Sequence, residues 1–280
     1  MEFPNFDPVI FKIGPLAIRW YALAYVAGIL LGWRYAVGLV RNTKLWGGKA
    51  PTATSEQIDD LILWITLGVI VGGRIGYILF YAPNLIWTEP LEIFQVWKGG
   101  MSFHGGFAGV VVAIIAFALA NRMDMFKLGD LVAPAVPIGL FFGRIANFIN
   151  GELWGRPTGV PWAIQFPAAG VEYRHPSQLY EAALEGIVLF FILRFVTHRQ
   201  LWLQRRGAVC GLFMVGYAVF RMSLEGVREP DAQMLPFFQT VLTMGTMLSI
   251  PMLLVGAWLL WRSFRTPAPA ADAAPEKAEV

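Results

Sequence analysis

Seven stretches of this chain are apolar over nearly one common length, and that pattern constrains the fold more than any other feature. They are residues 17–40, 58–81, 103–120, 128–150, 178–197, 208–226 and 237–261. A helix needs about 20 apolar residues, at about 1.5 Å each, to cross a bilayer's hydrocarbon. Lipid offers no hydrogen bonds, so backbone groups there must be satisfied internally, as a helix does. The third stretch is short and the fourth carries Pro134 and Pro137. Such prolines are tolerated where neighbouring helices satisfy the freed carbonyls. Of the whole chain 56% is hydrophobic and 15% charged, against about 25% charged in soluble domains. The expected class is therefore an all-α polytopic membrane protein, with seven transmembrane helices in one domain over residues 1–265. Residues 266–280 are Ala/Pro-rich without core material and are expected to form a disordered cytoplasmic tail. No internal repeat is visible.

The distribution of Lys and Arg sets the expected orientation. Arg41, Lys44 and Lys49 follow the first stretch, Arg122 and Lys127 the third, Arg199, Arg205 and Arg206 the fifth, and Arg262 and Arg265 the seventh. The alternate loops are poorer in these residues. The positive-inside rule then puts the N-terminus outside and the C-terminus in the cytoplasm, as seven crossings require. Residues 151–176 form the one long loop, which would lie outside as a small extracytoplasmic cap. Residues 1–15 are polar and proline-broken, so no cleavable signal peptide is expected.

Several chemistries are disfavoured at once. The single cysteine, Cys210, excludes an internal disulfide and a Cys-rich metal site. A lone cysteine in an apolar stretch is more often packing than nucleophile. His104, His175 and His198 lack metal-ligand spacing. The net charge of +3 needs no nucleic-acid partner, because membrane proteins gather cations on cytoplasmic loops. No metal and no cofactor is expected.

Against that background, Arg144 stands out. It lies inside an apolar stretch, within Gly143-Arg144-Ile145-Ala146-Asn147-Phe148-Ile149-Asn150-Gly151-Glu152-Leu153-Trp154-Gly155. Arginine cannot shed its proton, and a charge at mid-bilayer costs about 3 kcal/mol or more. Arg144, Asn147 and Gly151 share one face of an ideal helix, so guanidinium and amide would point the same way. With the topology above, most of the intramembrane polar residues fall in the outer half of the bilayer: Tyr25, Arg74, His104, Arg144, Asn147, Asn150, Gln178, Tyr180, Glu181, Glu185, Arg221, Glu225 and Arg228. Structural pairing competes with function at each. Arg221 and Glu225 are i, i+4 and could neutralise one another, and Glu181 or Glu185 could pair with Arg74. His104 could be an interfacial residue. Its flanking Gly105 and Gly106, however, would leave the imidazole open to a substrate, and histidine exchanges protons near neutral pH. Two arginines and a histidine in the headgroup layer suit a phosphate-bearing lipid, because the guanidinium fork matches phosphate oxygens in pairs.

The Gly143–Gly155 block resembles the signature of the prolipoprotein diacylglyceryl transferases. Ser102-Phe103-His104-Gly105-Gly106, His175-Pro176-Ser177-Gln178-Leu179-Tyr180-Glu181 and the segment from Arg221 to Asp231 resemble further blocks of that family, in its order. Ala146, where glycine is common, and Gly226, where an aromatic is common, are minor departures. The resemblance implies a seven-helix enzyme of the bacterial inner membrane. It would move the diacylglyceryl group of phosphatidylglycerol to the lipobox cysteine of a prolipoprotein signal peptide, forming a thioether and releasing glycerol 1-phosphate. The functional positions carried over are Tyr25, His104, Arg144, Asn147, Glu152, Gly155, Arg221 and Glu225, with Asp130 as one more.

That chemistry fits the residues. A thiol near pKa 8.5 must lose its proton before attacking carbon, and negative charge grows on the departing phosphate. We assign His104 as base, Arg144 and Arg221 as phosphate clamp, and Glu225 as the residue orienting Arg221. Tyr25, Asn147, Asn150, Glu152, Gly155, Gln178 and Tyr180 are expected to bind substrate. A thiolate stabilised by arginine with no dedicated base remains open. A transporter of an anionic solute or lipid is the competing class, although transporters commonly carry repeats and a midplane site. A receptor-like binding protein is a third.

Overall fold

The computed structural model describes residues 1–4, 6–7, 9–14, 16–229 and 243–265. The tail 266–280 and the start of the seventh stretch lie outside the described residues. The described chain is mostly helical and divides into two compact units, residues 50–129 and the described residues of 1–49 with 130–265.

The larger unit opens with an antiparallel hairpin, β1 (Val9–Ile13) and β2 (Leu16–Arg19), that runs directly into α1 (Trp20–Arg41). In the smaller unit, α2 (Ser55–Tyr81) begins at a reciprocal cap. The Thr54 hydroxyl accepts from Gln57 N, and the Gln57 side chain accepts from Thr54 N. This pair satisfies two of the donors a helix start leaves orphaned. α3 (Phe103–Ala120) is capped by Ser102, whose Oγ accepts from Gly105 N at 3.2 Å.

The α2–α3 seam consists of glycine. Gly68, Gly72 and Gly76 face Gly105 and Gly109, and a Cβ on Gly76 or Gly72 would fall 2.7 Å from the Cα of Gly105 or Gly109 respectively. Small residues four apart let backbones approach where lipid gives no hydrophobic incentive to associate. On α2, Arg74 is 5% exposed. It donates to the carbonyls of Glu92 (2.5 Å), Ile93 (3.0 Å), Gly99 (2.6 Å) and Gly100 (3.2 Å). Gly99 (φ +88°) and Gly100 (φ +77°) adopt backbone that L side chains resist, which turns their carbonyls onto the guanidinium. Arg74 is thus a loop anchor and not a partner of Glu181 or Glu185.

α4 (Met125–Val132) passes through one 3-10 turn (Ala133–Ala135) into α5 (Val136–Ile149). Pro134 and Pro137 sit in the first positions of the 3-10 turn and of α5, where the missing N–H costs least. The expected break is therefore a local tightening. Residues 151–176 fold on themselves: Ile164–Gln165 pairs with Tyr173–Arg174, and Gly155 bridges to Arg228. Next come α6 (Ser177–Glu181), a π-helical segment (Ala182–Val188) and α7 (Leu189–His198), then α8 (Ala208–Leu224) and α9 (Met244–Arg265). Glycine again sets the approach of α8 to α9, where a Cβ on Gly211 would lie 2.9 Å from Gly256 O. Asp130 caps α8 from another helix, its two carboxylate oxygens accepting from Gly207 N (2.6 Å) and Cys210 N (2.9 Å).

Among the described residues, four helical stretches are long and apolar enough to cross a membrane: Trp20–Arg41, Ser55–Tyr81, Met125–Ile149 and Gly245–Arg265. His104–Ala120 and Ala208–Leu224 are shorter apolar helices. This is the architecture of a multi-pass membrane protein.

Candidate active site

Arg144 lies in the last turns of α5, on the element the apolar pattern made helical. Its Nε is 2.6 Å from Glu181 Oε2 and its Nη2 is 3.6 Å from Glu185 Oε2, with the two carboxylate side chains 1% and 0% exposed. These are ion-pair contacts without hydrogen-bond alignment, because none of the four carboxylate oxygens accepts a hydrogen bond among the described residues. Glu181 also faces Arg228, Nη1 to Oε1 at 3.6 Å. The acids whose charge also suited Arg74 are thus used here. No ion pair or hydrogen bond engages Arg144 Nη1 among the described residues.

One turn on, Asn147 is buried, and its amide nitrogen donates to the Tyr21 hydroxyl and to Glu152 Oε1 (3.0 Å). α5 ends at Ile149, so Gly151 does not continue the helical face expected of it. It takes φ +62° and turns the chain so that Glu152 returns onto Asn147. Tyr25, expected to contribute a hydroxyl, stacks on Tyr21 (centroids 5.8 Å, interplanar 22°) and is half exposed. The tyrosine that reaches Asn147 is Tyr21, one helical turn earlier. An i−4 scan from Tyr25 along α1 was the available signal.

The residues around this turn are tied to one another by hydrogen bonds. Gln178 Nε2 donates to Glu152 O (2.6 Å) and Ser177 Oγ donates to Leu153 O (3.0 Å). Gly155 N donates to His175 O (2.8 Å), and a Cβ at Gly155 would fall 2.7 Å from His175 Cβ. Glycine is required there by close approach. Tyr180 Oη accepts from Trp162 Nε1 (2.6 Å) and lies 3.2 Å from His175 Nδ1. Desolvation holds the His175 imidazole below its ordinary pKa. Asn150 caps α5, and its Oδ1 is buried without a hydrogen-bond partner among the described residues.

Arg221 and Glu225 pair as their i, i+4 spacing allows, Nη1 to Oε2 at 2.6 Å. Gly245, in the first turn of α9, closes over them. A Cβ there would fall 2.5 Å from Glu225 Oε2 and 2.6 Å from Arg221 Nη2. Glu225 thus meets Arg221 directly, on the side that Gly245 leaves open.

His104 sits in the first turn of α3, within the smaller unit, and is exposed. Its neighbour Gly105 is not small for the sake of an approaching substrate, because a Cβ there would fall 2.8 Å from Gly76 Cα. Asp130, the further expected position, caps α8. Among the described residues no group of three or more His, Cys, Asp or Glu could hold a metal.

Residues 8–262 match the family described as prolipoprotein diacylglyceryl transferase. The chain is 62% identical over 288 residues to a Phenylobacterium zucineum (strain HLK1) protein, covering 99% of each. It is 59% identical over 293 residues to one from Caulobacter sp. (strain K31), covering 96% of this chain and 97% of the relative. It is 55% identical over 263 residues to one from Sinorhizobium medicae (strain WSM419), covering 94% of each. All three relatives bear the name phosphatidylglycerol–prolipoprotein diacylglyceryl transferase.

Proposed function

This chain belongs to the prolipoprotein diacylglyceryl transferase family, and from that premise we propose the reaction it performs. The diacylglyceryl group of phosphatidylglycerol passes to the lipobox cysteine of a prolipoprotein. A sulfur–carbon bond forms as the glyceryl carbon–oxygen bond breaks, and the electron pair leaves on the phosphate oxygen of glycerol 1-phosphate.

The observation that carries this reading is the half-engaged Arg144. Its Nε–Nη2 edge faces two buried carboxylates, while the Nη1 end has N–H donors to offer. A guanidinium end of this kind matches phosphate oxygens, and it is already oriented for the charge that grows as the ester bond breaks. Arg221, held by Glu225, is the second cation of the clamp. Asn147, with Tyr21 and Glu152, positions the headgroup. His104 takes the thiol proton. Tyr25, Asn150, Gly155, Gln178 and Tyr180 complete the substrate-binding set, Gly155 and Gln178 by shaping the turn after α5.

We further propose seven crossings of the bacterial inner membrane, with residues 178–197 crossing through the π-helical segment. The N-terminus and the cap loop 151–176 face outside, and residues 266–280 form a cytoplasmic tail. Purified protein incubated with labelled phosphatidylglycerol and a lipobox peptide tests the reaction. The expected result is labelled thioether peptide. Lipid movement across a vesicle without that product would favour a transporter instead.

A further inference from the structure

We propose that Glu185 is a positioning residue for the lipid phosphate, acting through Arg144; the assignment rests on the transferase reading above. Glu185 lies within the π-helical segment Ala182–Val188, a rare conformation that concentrates at functional sites. The next residue is Gly186, where a Cβ would fall 2.8 Å from Phe141 Cβ and 3.0 Å from Phe141 Cα. The missing side chain lets α5 close on the π turn one helical turn before Arg144. Glu185 Oε2 then stands 3.6 Å from Arg144 Nη2, with the carboxylate side chain wholly buried.

That placement is costly. Neither Glu185 oxygen accepts a hydrogen bond among the described residues, and a buried carboxylate so poorly satisfied destabilises a fold more than a neutral isostere does. The carboxylate does give direction to a cation. With Glu181 at Nε and Glu185 near Nη2, the guanidinium plane is fixed along one edge, so the Nη1 end is what remains for an anion. A single carboxylate at Nε would leave the plane free to rotate about that contact.

The test is steady-state kinetics on the full-length protein in mixed micelles, varying phosphatidylglycerol and lipobox peptide separately, with thermal denaturation in parallel. Glu185→Gln keeps the volume and removes the charge. We expect kcat/KM for phosphatidylglycerol to fall about ten- to a hundredfold, the range that misplacing a catalytic group produces. The KM for peptide and the Tm should not fall. A constant like the parent's for both substrates would overturn the assignment. So would equal losses for both substrates with a lowered Tm, which is the signature of a purely structural residue. If Glu185→Gln does not fold, Glu185→Asp carries the test, because it withdraws the charge by one methylene. The same lipid-selective loss is expected, and parent-like constants would again refute the role. A parent protein that forms no thioether would instead sink the transferase reading itself.

Discussion

Three intramembrane arginines meet the same physical demand, satisfaction of five donors away from water, in three different ways. Arg74 spends its donors on four backbone carbonyls. Arg221 shares its charge with Glu225. Arg144 faces two buried acids along one edge and keeps the other end open. The Arg144 arrangement leaves one end of the fork directed at a ligand, and it predicts that lysine cannot substitute. Arg144→Lys retains the charge but loses the planar fork, so a folded variant should lose most of its lipid-transfer activity, about a hundredfold or more. Near-normal turnover would show that bare charge suffices. The role of His104 is tested by pH. If it removes the thiol proton, His104→Gln should be impaired most near pH 7 and recover toward about pH 9, where a thiol of ordinary pKa near 8.5 ionises unaided. A deficit constant across that interval, measured relative to the parent at saturating phosphatidylglycerol, would remove His104 from the base role.

Between elements, glycine sets the distances. The α2–α3 seam depends on backbone meeting backbone at Gly72, Gly76, Gly105 and Gly109, and a new Cβ would have to displace main chain and not a flexible side chain. Gly109→Val should therefore lower the Tm in detergent and raise susceptibility to proteolysis, at a cost of about 3 kcal/mol if the seam cannot open. A variant melting with the parent would mean that the helices part without penalty. Asp130 makes the complementary point. Its carboxylate accepts backbone donors at the start of α8, a capping role carried out across elements and not within one helix. One of these bonds uses the backbone N–H of Cys210 and not its thiol. Cys210→Ala keeps that N–H and should transfer lipid at the parent rate. Loss of activity in a folded variant would point to a covalent enzyme intermediate.

For the whole molecule, the charge asymmetry of alternate loops predicts which ends face which compartment. In a Cys210→Ala background, Val171→Cys should react with an impermeant thiol reagent added outside intact cells, and Arg206→Cys only after permeabilisation; the reverse pattern would invert the proposed topology. By itself the sequence determined the helical, membrane-embedded class, because run length and apolarity are properties of contiguous residues and lipid permits few backbone forms. It also marked Arg144, Asn147, Arg221 and Glu225, since a charged or polar side chain inside an apolar run is visible without coordinates. The pairing of Arg221 with Glu225 was legible for the same reason, being set by spacing along one helix. What only the tertiary structure decided is which acid meets which cation between helices, and which tyrosine reaches Asn147. Glu181 and Glu185 could have served Arg74 as readily as Arg144 on grounds of charge and depth alone. Gly186, which lets α5 approach the π turn, and a left-handed Gly151, which returns Glu152 onto Asn147, made the choice. Those features set the rotation and separation of whole helices, quantities that depend on side chains distant in the chain and leave no periodic trace within any one segment.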